Sequence, residues 1–66
     1  MPKVNLSYIK ELREDKQITI EQMSKNLGYL GYQGYYYKER GIRKMSAEDI
    51  AMISLTLGVS IESLYL

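Results

Sequence analysis

Lys38, Arg40, Arg43 and Lys44 crowd into residues 38–44 against a single acid, Glu39. Residues 45–66 then carry Glu48, Asp49 and Glu62 and no base. A net charge of +1 conceals this separation. A cationic segment beside an acidic third orients a molecule on a polyanion even when the total is near zero, although an ordinary solvated loop has the same composition. Just ahead of it, residues 28–37 alternate glycine with tyrosine around one amide, Gln33, and so carry several phenol and amide hydrogen-bonding groups. Other chemistries are poorly supplied. There is no Cys for a disulfide or thiolate metal site and no His for general-base or metal-ligand work. Glu11, Glu14 and Asp15 read most simply as the solvated side of a helix. The expectation is a binding protein and not an enzyme, with no cofactor, no metal and no small-molecule substrate.

The elements that must position these groups are helical. The 66 residues make one domain. Leu6, Ile9 and Leu12 form an apolar stripe, so a first helix is predicted from Asn5 or Leu6 to Asp15, with Asn5 or Ser7 as its cap. Thr19 followed by Gln22 has capping-box spacing, and Ile20, Met23 and Leu27 continue a stripe that Gly28 ends, which predicts a helix over 19–27. The glycine–tyrosine stretch resists assignment, because tyrosine also favours strands. A lone strand has no partner among capped helices. Residues 28–31 are therefore read as a turn and 32–40 as a third short helix. Gly34 weakens that helix, which suggests either close packing against a neighbour or backbone approach to a ligand. Ser46 with Asp49 caps a fourth helix closed by Gly58, and Ser60 starts a short fifth one with Ile61, Leu64 and Tyr65. No apolar run reaches the roughly 20 residues of a membrane span. With no signal-peptide stretch at the start, a cytoplasmic protein is the expectation.

The ordered set Ile9-Lys10-Glu11-Leu12-Arg13, Ile18-Thr19-Ile20-Glu21-Gln22-Met23, Asn26-Leu27-Gly28, Glu39-Arg40-Gly41-Ile42-Arg43-Lys44 and Leu57-Gly58-Val59-Ser60-Ile61-Glu62-Ser63-Leu64 covers nearly the whole chain. In that order it resembles the lambda-repressor-like, Cro-type helix-turn-helix domains of phage and bacterial transcriptional regulators. The resemblance implies an all-α, compact five-helix domain over residues 1–66, with the helix-turn-helix unit at about 19–40. It also implies that the third helix, about 32–40, enters the major groove of double-stranded DNA. The chain departs from the family at two places. The turn and the start of the third helix, Tyr29-Leu30-Gly31-Tyr32-Gln33-Gly34, are less polar than usual and one residue longer. Ile20 stands where the family often has Gln.

The same resemblance assigns contacts. Gln33 is expected to read a base, since its amide can pair bidentately with adenine. Tyr32, Tyr36 and Tyr37 join it as base contacts if Tyr35 turns inward, although rings completing the core are the competing reading. Thr19, Lys38, Arg40, Arg43 and Lys44 are expected at phosphates, with Lys38 falling where the family usually has an apolar residue. Arg13 and Glu39 are placed to form an ion pair between the first and third helices. Ile61, Leu64, Tyr65 and Leu66 make an apolar end that serves either a homodimer face or the core. The competing function is a protein-binding adaptor or antagonist that reuses the helix-turn-helix fold through its tyrosine-rich surface. A repressor or Cro-like regulator is the leading one.

Overall fold

The computed structural model describes residues 2–66. It contains four α-helices, α1 (Leu6–Asp15), α2 (Ile20–Asn26), α3 (Gln33–Glu39) and α4 (Ala47–Leu57), followed by one 3-10 turn, Glu62–Leu64. The fifth helix is thus a single 3-10 turn, nucleated where Ser60 Oγ accepts from the Ser63 amide. Each predicted cap has a physical counterpart. Asn5 accepts from the Tyr8 amide at 3.2 Å. Thr19 and Gln22 exchange two bonds of 3.1 and 2.9 Å. Ser46 and Asp49 do the same at 3.0 and 2.9 Å. α3 is different. Tyr32 at its N-cap offers no side-chain acceptor, and the helix starts through i+3 bonds from Gly34 to Gly31 and from Tyr35 to Tyr32.

Three helices end in the same paired-bond motif, in which one residue turns left-handed. After α2 and α3 that residue is a glycine, but after α1 it is Gln17, at φ 58°. The Ile18 amide there bonds back to Arg13 and the Gln17 amide to Glu14. A side chain with a Cβ is strained in this region, and glycine is the natural occupant. Gln17→Gly is therefore expected to stabilise the fold by about 0.5–1 kcal/mol after the unfolded-state entropy of glycine is subtracted. Denaturant titration would show this as a higher midpoint, and an unchanged or lower midpoint would contradict it.

The core is Ile9, Met23, Tyr35, Ile50, Ile53, Leu57 and Leu64, drawn from every element. α2 packs on α3 and α4, while α1 packs on α3 and the 3-10 turn. Leu64, read as serving either a dimer face or the core, is fully buried here. The cause is a pairing of the two ends of the domain. Val4 and Tyr65 form an antiparallel bridge, the Asn5 amide donates to the Leu64 carbonyl at 2.7 Å, and the Leu66 amide donates to the Lys3 carbonyl at 2.7 Å. That pairing turns the Leu64 side chain inward beneath α1. Ile61 and Leu66 stay exposed, and Tyr65 is half-buried.

Candidate nucleic-acid interface

α3 carries seven residues and no side-chain cap, so its placement depends on what holds it from the sides. Towards α1, Arg13 Nε and Nη2 donate to the two Glu39 carboxylate oxygens at 2.9 and 3.1 Å. Arg13 Nη1 also donates to the Ile18 carbonyl at 2.7 Å, which ties the α1–α2 connection into the same fork. Both side chains are nearly excluded from water. Burial alone would lower the Arg13 pKa, but the Glu39 carboxylate outweighs it and raises it. Tyr35 lies beside this pair, fully buried, with its hydroxyl unpartnered. Burial, then the nearby Glu39 carboxylate, push its pKa up.

Towards α4, three side chains close a ring. The Tyr29 hydroxyl donates to Asp49 Oδ1 at 2.6 Å and accepts from Lys38 Nζ at 2.5 Å, while the same ammonium pairs with Asp49 Oδ2. Asp49 simultaneously completes the capping box of α4, since its Oδ2 accepts from the amide of the N-cap residue Ser46. Burial by itself would raise the Asp49 pKa. Hydrogen bonds from Lys38, Tyr29 and Ser46 reverse this and hold it at about 2. Lys38 is raised in turn: burial would lower its pKa, and the bonds to Asp49 and Tyr29 overcome that. Lys38 was expected at a phosphate. Its ammonium is instead committed to Asp49 and Tyr29, and only 15% of the side chain is exposed. This is also how a lysine occupies a position that usually takes an apolar residue: the stem packs and the charge finds a buried partner.

The turn between α2 and α3 is fixed by the same groups. Ser24 Oγ donates to the Gly31 carbonyl at 2.5 Å. A Cβ on Gly34 would sit 2.6 Å from Cβ and Cγ of Tyr29, so the α3 backbone lies directly against that ring. Close packing is therefore what the glycine allows.

With both flanks secured, the remaining surface of α3 faces solvent. Gln33 and Tyr32 are exposed at its first turn, Tyr32 by 49%. Tyr32, Tyr36 and Tyr37 form an edge-to-face series with ring centroids 5.8 and 5.4 Å apart. Tyr36 and Tyr37 are half-buried. Exposed Arg40 lies over the Tyr36 ring, 5.5 Å from its centroid, and donates to the Tyr36 hydroxyl at 2.9 Å. Beyond α3, Arg43 and Lys44 line a groove together with Pro2, Lys3, Gly41 and Met45. Lys3 had no role in the sequence reading, because nothing local links it to a segment some 40 residues away. The terminal pairing brings it there. Thr19 is exposed, with its oxygen accepting from Gln22 and its hydroxyl hydrogen unused in that bond. Among the described residues no acid or thiol cluster is suited to a metal ion, and no helix is long and apolar enough to cross a membrane.

Residues 9–64 match the family model described as helix-turn-helix. Nothing matched among curated proteins or among solved structures.

Proposed function

Because the chain belongs to the helix-turn-helix family, we propose that it binds double-stranded DNA sequence-specifically as a small transcriptional regulator of the repressor or Cro-like kind, with α3 in the major groove. The observation that carries this reading is the contrast within α3. Its Lys38 and Glu39 are locked into α4 and α1, while its first turn holds Gln33 and Tyr32 out in water. A rigidly seated helix with free polar groups at its leading end is what direct readout requires.

In this arrangement Gln33 reads adenine, and Tyr32, with Tyr36 and Tyr37 behind it, contacts neighbouring base edges. Arg43 and Lys44, with Lys3 beside them and Arg40 at the end of α3, take the phosphates. Thr19 can donate its hydroxyl hydrogen to another. Ile61, Tyr65 and Leu66 remain for pairing two copies on paired half-sites, and Leu64 leaves that set. The protein acts in the cytoplasm, where its DNA is.

Selection of duplexes from a random pool, repeated with two variants, tests the assignment. Gln33→Ala is expected to relax preference at one base pair, at a cost of roughly 1–3 kcal/mol in discrimination. Arg43→Ala is expected to weaken all sequences alike and reduce the salt slope by about 1. Equal and sequence-blind losses from both would reject these roles. No salt-dependent binding to any duplex, with a salt-insensitive complex formed by a protein, would favour the adaptor reading.

A further inference from the structure

Among the described residues Leu30 is the most exposed large apolar side chain, at 103% of its reference area. Its neighbours are not free to fold over it. Tyr29 before it is held through its hydroxyl by Asp49 and Lys38 and lies against the α3 backbone at Gly34. Gly31 after it is held through its carbonyl by Ser24. A braced turn thus keeps one leucine in water, three residues ahead of Gln33 and on the loop that leads into α3. Serine or asparagine would suit an ordinary turn better, without the penalty of exposing an aliphatic chain.

Resting on the DNA-binding reading above, we infer that Leu30 is a specificity residue that packs on a thymine methyl in the major groove. In that groove the C5-methyl of thymine is the apolar feature of a base edge, and apolar side chains recognise it by contact. A Gln33–adenine pair makes the occupant concrete. The adenine's own partner is a thymine, and it or its neighbour offers a methyl to a side chain entering beside Gln33. The rigid turn matters energetically, because no loop order is lost when the contact forms.

The test uses the duplex selected by the wild-type protein, with each thymine replaced singly by deoxyuridine, which deletes the methyl and keeps the hydrogen-bonding edge. Wild type, Leu30→Ala and Leu30→Asn are titrated against the set. At one position flanking or within the pair read by Gln33, deoxyuridine is expected to weaken wild type about three- to fivefold, the value of one buried methyl. Both variants are expected to bind thymine and uracil there equally. Wild type indifferent to every methyl in that region would overturn the inference and leave the DNA-binding reading intact. So would variants that keep the full thymine preference. Wild type that binds no duplex would remove the reading itself and this inference with it. A negative wild-type scan decides against the inference by itself, and a positive one is assigned to Leu30 by the variants.

Discussion

Glu39→Ala is expected to lower the melting temperature by about 15–30 °C, the largest effect of any single substitution outside the apolar core. The reason is the fate of Arg13. Its guanidinium is buried and held by two bonds to Glu39, with the Ile18 carbonyl as its other partner. Removing the carboxylate leaves a charge in low dielectric, which costs about 3–5 kcal/mol. A domain this short has roughly 3–10 kcal/mol to lose. Exchanging both partners for apolar residues, Arg13→Met with Glu39→Leu, is expected to recover most of the loss, because the buried charge goes with its partner. Thermal melts followed by circular dichroism decide it. A single variant within about 5 °C of wild type would show that the fork is decorative.

Asp49→Asn addresses the other flank of α3 and brings a pH signature. Asp49 is 4% exposed, and its carboxyl titrates at about 2 against an ordinary 3.8. A carboxyl depressed in the folded state contributes stability that is complete above 3.8 and lost as the pH falls through about 2. The linked free energy is on the order of 2 kcal/mol. Wild type should therefore lose that amount between pH 4 and pH 2 beyond whatever Asp49→Asn loses over the same range. The variant should also be weaker near neutrality, with the Lys38 ammonium no longer neutralised. Parallel denaturant midpoints across that acid range would refute the role given to the ring. Lys38→Met supplies a separate check, because it should destabilise the fold without reducing the salt slope of any DNA binding.

Much of the backbone could be read from local spacing, because caps are local devices. Thr19 with Gln22 and Ser46 with Asp49 are three residues apart, and each pair finds its partner without any knowledge of the fold. The ring of Tyr29, Lys38 and Asp49 could not be read this way. Its members look like a turn aromatic, a basic-patch lysine and a helix cap, each complete in its own local role. Only the packing of both α3 and α4 on α2 brings them together, across up to 20 positions. Leu64, open between a dimer face and the core, could not be placed locally for a related reason. Spacing gives a short apolar end, but its inward face is decided by a bridge to Val4 at the far end of the chain. The Arg13–Glu39 fork is intermediate. Its partners lie 26 positions apart and came into view through resemblance to a family, not through any pattern in the residues between them.

That bridge also joins two properties that would otherwise be independent. The peptide group of Lys3 is clasped by the amide of Leu66, and the Lys3 side chain lines the groove of Arg43 and Lys44. If the last residues peel away, Lys3 loses its anchorage and the groove loses a wall, while Leu64 loses the clasp that seats it in the core. Any load applied to the tail, such as a tether or a second copy, is thereby transmitted through two backbone hydrogen bonds to the opposite terminus and on to the cationic cleft.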